Sequence, residues 1–405
     1  MLKKILLMIG FSSLLFSDNS VNHYLNEMNI SCEKNICNGT NIEINKNFII
    51  EKVNIKLKNN YKPSFKKKNY NLICNSSWDT ISKSNKDKTV FHKNCLKKHE
   101  ERDKLNVFKK ILINNDTTLT NGKFDGGGFD TLSLVGNLPL ISKISSSKKI
   151  TISDILENNL KLSINNYVSD KNEYQYYIEI ITSRINGLVK SYQEKPTEEL
   201  QLELDFLKNL IVVLVNLNNH IKSNVNTAND IDISIRTIPG DTVFYILDAK
   251  IKNNIRTYNI KLKIKLTKFN KIKESIERIS NPQILLILLI PSIDIESFEV
   301  RSDYTNFITI HNKLINNIEY QNSYNYIVQY LNILFDEVDS IDSDFAKSIL
   351  SFSKNFIEMK NPINTFIIER NENDNSTLIN EIIKITQSGT PDYEKLSKLF
   401  NFKSN

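Results

Sequence analysis

The four cysteines constrain this chain more tightly than any other feature of its sequence. All of them, Cys32, Cys37, Cys74 and Cys95, lie in the first quarter of 405 residues, and none follows. An even number of cysteines is typical of disulfides when a protein is exported. The spacing favours the pairs Cys32–Cys37 and Cys74–Cys95, although four cysteines allow three pairings. We therefore expect a disulfide-stapled N-terminal region.

Zinc binding is the alternative role for these cysteines. His92, Cys95 and His99 lie within eight residues and carry groups that bind zinc. Zinc sites, however, draw most of their ligands from closely spaced pairs, and Cys74 has no such neighbour in the sequence. Two disulfides remain the preferred interpretation, and free thiols are the third possibility.

The first residues predict export. Lys3 and Lys4 precede the apolar block ILLMIGFSSLLF at 5–16, and Ser17 follows it. This pattern is typical of a signal peptide, here residues 1–17, because the block is shorter than the roughly 20 residues that a membrane span needs. The run ILLILLI at 284–290 ends at Pro291 and predicts a buried strand. We expect a secreted protein, whether extracellular, surface-associated or periplasmic, without a transmembrane anchor.

Composition argues against several common enzyme classes. The chain has only 10 glycines, and the motifs GxGxxG, GxxxxGK[ST] and GxSxG do not occur in it. Phosphate-binding loops need glycine, because their backbone must adopt positive φ and approach the phosphate closely. Common nucleotide-binding folds and ordinary serine hydrolases are therefore not expected. We expect no cofactor.

The hydrophobic periodicity divides the remaining chain into three regions of an α+β protein. Residues 18–100 form a Cys-containing, β-rich region, in which VNIKLK at 53–58 alternates as a half-buried strand. Residues 101–300 form a central α+β domain with a mixed antiparallel sheet, and residues 301–405 form a mainly helical region, predicted to be a bundle. Within the central domain, 153–168 is predicted to be helical. The helix at 195–223 begins at the cap Thr197 and buries LIVVLV deeply.

Asp248, Ala249 and Lys250 interrupt an apolar run in the second of three predicted strands, 230–238, 242–251 and 255–266. The order of helix, three strands, helix and strand resembles the core of the PD-(D/E)xK nucleases. In that family two acidic residues bind Mg²⁺ and the lysine orients or activates water. The resemblance implies a site formed by Asp232 or Asp230, Asp248, Lys250 and either Glu199 or Glu203. The simpler interpretation places Asp248 and Lys250 at the solvent end of a strand.

The segment FDGGGFDTLSL at 124–134 resembles one copy of the RTX nonapeptide repeat. In that repeat, glycine-rich turns place carboxylates around Ca²⁺. The resemblance implies that Asp125 and Asp130 bind calcium in an adhesion module. RTX calcium lies between stacked copies, whereas this chain has one copy, so a tight turn between two strands is the alternative interpretation.

Lysine clusters are the remaining candidates for function. They are Lys66–Lys68, Lys97–Lys98, Lys109–Lys110, Lys148–Lys149 and the stripe Lys261, Lys263 and Lys265. Such clusters bind polyanions, or else form a solvated face or protect a sheet edge from aggregation. We select Lys66, Lys67 and Lys68 as the polyanion-binding loop.

Taken together, these features favour a structural or interaction protein of a wall, coat or host-facing layer over an enzyme. The expected partners are polyanionic glycans or other surface proteins, and nucleic acid is not expected. A metal-dependent nuclease and a calcium-bound adhesion module are the alternatives.

Overall fold

A computed structural model describes residues 21–33, 35–45, 47–58, 70–80, 87–124, 127–145, 148–170, 173–224, 228–339, 344–359, 361–371 and 399–404. The predicted signal peptide at 1–17 lies outside these residues. Across the described ranges, no helix has the length and apolar character needed to cross a membrane. Helices occur together with antiparallel strands, which confirms the α+β class in its coarse form.

The described helices fall into short and long groups. The short ones are α1 Val21–Glu27, α4 Pro139–Ser145, α5 Ile152–Leu156, α8 Phe269–Arg278, α9 Pro282–Leu289 and α10 Thr305–Leu314. The longer ones are α2 Tyr70–Thr80, α3 Lys88–Asn114, α6 Glu173–Glu194, α7 Glu198–Asn224, α11 Ile318–Asp339 and α12 Asp344–Ile357.

The strands form antiparallel pairs between chain neighbours. They are β1 Ile30–Glu33, β2 Ile36–Asn45, β3 Phe48–Lys56, β4 Asp116–Phe124, β5 Gly127–Asn137, β6 Asn159–Ser169, β7 Asn229–Ile238, β8 Val243–Lys252, β9 Thr257–Leu266, β10 Ile293–Asp303, β11 Ile363–Arg370 and β12 Phe400–Ser404. Strands β1 to β5 pair in succession, and so do β8 to β12. Helices α2 and α3 lie between β3 and β4, α8 and α9 between β9 and β10, and α10, α11 and α12 between β10 and β11.

The chain divides into two compact units. The N-terminal unit comprises Met1–Asn165, Ser234–Asp241 and Phe269–Leu289, and the C-terminal unit comprises Asn166–Ile233, Thr242–Lys268 and Ile290–Asn405. Each unit is therefore assembled from segments that are separated in the sequence.

The core of the N-terminal unit lies between α3 and the β1–β5 strands. The C-terminal half of α3 buries Val107, Phe108 and Ile111 against β2, β4 and β5. The ring of Phe108 meets that of Phe48 edge-on, with centroids 5.4 Å apart. Strand β3 alternates as predicted, since Val53 and Ile55 are buried while the residues between and beside them face outward.

The core of the C-terminal unit is formed largely by α6, α7, α10 and α11, and it is rich in tyrosine. Its buried residues are Tyr174, Val213, Leu217, Ile221, Ile255, Tyr304, Phe307, Ile310, Tyr320 and Ile327. Helix α7 begins as predicted, because Thr197 Oγ1 accepts a hydrogen bond from the Leu200 amide at 3.3 Å. The segment LIVVLV is less buried than predicted: Val213 is buried and its neighbours are half-buried.

Two predicted elements are wrong. Residues 284–290 do not form a buried strand; they lie mostly in α9, where Leu285 and Leu289 are buried while Ile287 is 67% exposed. The predicted helix at 153–168 ends at Leu156, and β6 follows from Asn159. Short apolar runs suit helix and strand alike, so periodicity alone did not separate the two.

Candidate functional site

Helix α3 is the most strongly anchored long helix of the N-terminal unit. The Cys74–Cys95 disulfide joins it to α2, and the Tyr70 hydroxyl donates to the buried Asp103 carboxylate at 2.6 Å. At its start, Asp87 accepts a hydrogen bond from the Thr89 amide at 2.7 Å, which caps the helix. These contacts fix which side of α3 faces solvent.

The solvent side of α3 is basic. The helix contains eight lysine and arginine residues against three acidic residues, a formal excess of five positive charges. The residues of this basic face, defined by their exposure, are Lys88, Lys93, Lys97, Lys98 and Arg102. Lys93 and Lys97, like Lys98 and Arg102, are one helical turn apart and therefore adjacent on the surface.

Acidic residues offset this charge only in part. Asp103 is buried against Tyr70, and Glu101 reaches Lys97 at 3.9 Å with three quarters of the lysine side chain exposed. A pair so exposed contributes little, because water screens it. Neither Lys93 nor Lys98 forms an ion pair with a described residue. The basic face therefore keeps a local excess of positive charge.

The lysine stripe of β9 is different, because its charges are paired across the sheet. Lys261 Nζ lies 3.1 Å from Glu299 and Lys265 Nζ lies 2.8 Å from Glu296, both on the neighbouring β10. Lys263 lies over the Phe244 ring at 4.3 Å. The stripe is thus a cross-strand pairing surface rather than a free cationic patch.

The other lysine clusters contribute less. Lys66, Lys67 and Lys68 lie outside the described residues. Burial lowers the pKa of Lys109, and burial together with the nearby Lys148 lowers that of Lys110. The lysine clusters selected from the sequence did not include Lys93 and Arg102, although both have i,i+4 spacing to Lys97 and Lys98 on a helix that begins at Lys88.

The aspartates and the lysine of the nuclease interpretation lie on β7 and β8 of the C-terminal unit, whereas Glu199 and Glu203 lie on α7. Asp232 is exposed on β7, while Asp248 is half-buried on β8 opposite Lys261. Lys250 is exposed opposite Asn259. Within the described part of the chain, neither aspartate belongs to a group of three possible metal ligands. The structure therefore gives these residues the geometry of paired strand positions.

The glycine-rich segment forms the hairpin between β4 and β5. Asp125 lies outside the described residues, and Asp130 is exposed on β5. Gly122 pairs with Phe129 across the hairpin, and a Cβ at position 122 would lie 2.2 Å from the ring. Gly122, two residues before the segment, therefore makes room for the Phe129 side chain.

The two disulfides join Cys32 to Cys37 and Cys74 to Cys95, the pairing that the spacing favours. Cys32 and Cys37 are register partners on β1 and β2. His99 adjoins the second disulfide: its ring nitrogen and the two sulfur atoms lie within 4.8 Å of one another. His92 is not a member of that group.

A buried histidine in the C-terminal unit was not singled out by its sequence. His311 Nδ1 lies 2.9 Å from the Tyr320 hydroxyl, and its ring packs on Tyr324 with centroids 4.4 Å apart. Burial lowers the pKa of His311 and raises that of Tyr324 to about 12. These groups stay neutral near pH 7, which suits a polar contact inside a core.

Comparison with known proteins gives no family assignment: no protein family matches the chain, and no curated protein matches its sequence.

Proposed function

We propose that this protein is a secreted or surface-associated, non-enzymatic interaction protein that binds polyanionic glycans through the basic face of α3. The observation that carries the proposal is the contrast between two lysine arrays. Lys261 and Lys265 on β9 have carboxylate partners within 3.1 Å, whereas Lys93 and Lys98 on α3 have none among the described residues. Unpaired, exposed charge is what a polyanion neutralises with a gain in free energy, by releasing its counterions.

Rigidity supports the same interpretation. The disulfide and the Tyr70–Asp103 hydrogen bond hold α3 in place before any ligand arrives. A preformed array loses less conformational entropy on binding than a flexible one does. The two disulfides also suit the export that residues 1–17 predict, since such bonds persist in oxidising compartments. A role in adhesion to other surface proteins belongs to the same proposal.

The test is binding of the oxidised protein to heparin, measured by titration calorimetry over a series of salt concentrations. The variant is Lys93→Ala/Lys98→Ala, and the matched control, Lys261→Ala/Lys403→Ala, removes two exposed lysines that are paired with carboxylates on neighbouring strands. Removing two contacts should weaken binding and reduce the slope of log affinity against log salt by about 1.5, taking 0.7–0.9 per contact. The control should leave both quantities close to those of the natural protein.

Equal losses in the two variants would contradict the proposal, because net charge alone would then explain binding. Double-stranded DNA serves as the second polyanion. An affinity for DNA equal to that for heparin would remove the glycan assignment and leave only a general polyanion surface.

A further inference from the structure

We propose that the Cys74–Cys95 disulfide is one state of a redox-gated metal site, in which the reduced thiolates and His99 bind a zinc ion. The site belongs to the α2–α3 pair and does not depend on the function proposed above. In the oxidised state the sulfur atoms bond to each other and are not metal ligands, because only the thiolate binds metal. Reduction would therefore switch the site on.

The geometry already places the three ligand atoms together. One atom each from Cys74, Cys95 and His99 lies within 4.8 Å of the other two. A tetrahedral zinc ion bound to sulfur at about 2.3 Å and nitrogen at about 2.0 Å needs its ligand atoms roughly 3.5–3.8 Å apart. Two of these atoms are the sulfur atoms of the disulfide, which must separate by about 1.7 Å in total once their bond is reduced. A water molecule takes the fourth position.

Helix geometry explains why His99, and not His92, is the ligand. Cys95 and His99 are one turn apart on α3, and side chains on a helix lean toward its N-terminus. His99 therefore leans toward Cys95, whereas His92 leans away from it. Cys74 reaches the same point from α2 and is fully buried, while Cys95 and His99 are half-buried and accessible to solvent.

Two contacts orient the His99 ring. Its ring stacks on Tyr70, with centroids 4.5 Å apart and planes within 8°. Arg102 lies 2.8 Å from His99 Nδ1, and because a guanidinium only donates hydrogen bonds, that nitrogen is an acceptor. Metal ligation requires the neutral imidazole. If zinc binds Nδ1, Arg102 must give up its contact with that nitrogen. If zinc binds Nε2, the ring proton moves to Nδ1, and the contact with Arg102 is lost as well.

Switching the site on takes a reduction followed by metal binding. A dithiol reductant gives two electrons and two protons to the Cys74–Cys95 bond and itself becomes a disulfide. Zinc then displaces the two thiol protons to solvent and binds the thiolates and the neutral imidazole. In the reverse direction, a disulfide oxidant takes the two electrons from the thiolates and becomes a dithiol, the Cys74–Cys95 bond forms again, and the ion is released. A reducing, zinc-containing environment would thus hold α2 and α3 together by the metal instead of the disulfide.

The experiment uses the full chain with Cys32→Ser/Cys37→Ser, so that one dithiol remains. The protein is reduced with a phosphine, which does not compete for metal as a dithiol does, and is titrated with Co²⁺ without oxygen. We expect one equivalent to bind, with the near-ultraviolet absorption of cobalt–thiolate bonds, and Zn²⁺ to displace it. The oxidised protein should give no such absorption.

His99→Ala should weaken Co²⁺ binding by more than about 100-fold, beyond the 10–100-fold typical of a residue that only supports a ligand. His92→Ala, on the same helix, should leave the affinity within about twofold of the parent, since metal affinity follows its ligands. The helix content is measured by circular dichroism. If reduction lowers the helix content of α2 and α3, binding of the metal should restore it. Failure of the reduced chain to bind or refold with Co²⁺, or equal losses in the two histidine variants, would overturn the proposal.

Discussion

The ion pair between Asp294 and Arg370 gives the sharpest test of what stabilises the C-terminal unit. Their side chains are 4% and 3% exposed, and Arg370 Nε lies 3.4 Å from Asp294 Oδ2. Arg370 also lies over the Phe400 ring at 5.3 Å. Lys265 is a second cation near Asp294, at 3.9 Å, but it is closer to Glu296. The pair thus joins β10 to β11 in a place that water scarcely reaches.

Removing one partner should cost far more than removing both. Asp294→Leu leaves the Arg370 charge buried without its carboxylate, and breaking a buried pair in this way costs about 3–5 kcal/mol. Arg370→Met should cost about 3 kcal/mol, because Lys265 still partly compensates Asp294. The double variant leaves no unpaired charge of this pair in the core, and replacing a buried ion pair by apolar residues is often neutral. We therefore expect its free energy of unfolding to lie within about 2 kcal/mol of that of the natural protein.

The free energy of unfolding is measured by urea denaturation, followed by circular dichroism. Hydrogen exchange of peptides from β10 and β11 assigns the transition to the C-terminal unit, since a chain with two units need not unfold in one step. The control is Arg278→Met, which breaks the exposed pair with Glu274 and should change stability by less than about 0.5 kcal/mol. A double variant as unstable as the sum of its singles would show that the pair is not coupled, and would refute the argument.

Three further predictions follow from single contacts. Gly122→Ala should destabilise the N-terminal unit by about 1–3 kcal/mol, because its Cβ overlaps the Phe129 ring, and Phe129→Ala should relieve most of that cost in a thermal melt. The stability of the C-terminal unit should fall as pH drops below about 6.5: the lowered pKa of His311 makes the unfolded chain bind more protons. His311→Gln should flatten that slope in urea titrations across pH, and an unchanged slope would assign it to other groups. N-terminal sequencing of exported protein should find the chain starting after Ser17, and an intact Met1 would contradict the signal peptide.

Features that depend on neighbouring residues in the sequence were predictable. Alternation identified β3 and the meander of β7, β8 and β9, because the side-chain period of a strand is local. The even cysteine count and the short spacings gave the disulfide pairing. The Thr197 cap was predictable for the same reason, since cap and recipient amide are three residues apart.

Features that depend on distant partners were not predictable. Asp294 and Arg370 are 76 residues apart in the sequence. Nothing near either residue in the sequence distinguishes it from an ordinary charged surface residue. The strand at 363–370 is defined by its pairing with β10, and nothing local distinguishes its apolar residues from those of a helix. The prediction of a buried strand at 284–290 was wrong for a related reason. Its apolar residues predicted burial on all sides, whereas one side of α9 is open to solvent.

The distribution of charge explains why total composition gave so weak an indication of function. The chain has 53 lysine and arginine residues against 46 acidic residues, a small excess for its length. The lysines of β9 contact a carboxylate on β10 or an aromatic ring on β8, so they stabilise the sheet instead of attracting a ligand. On α3 the eight basic residues outnumber the acidic Glu100, Glu101 and Asp103, and Asp103 is turned inward. A polyanion responds to the local field within about one Debye length, roughly 8–10 Å. It is therefore two i,i+4 pairs, Lys93 with Lys97 and Lys98 with Arg102, on a helix held by the Cys74–Cys95 bond, that make the exposed part of α3 a candidate binding site.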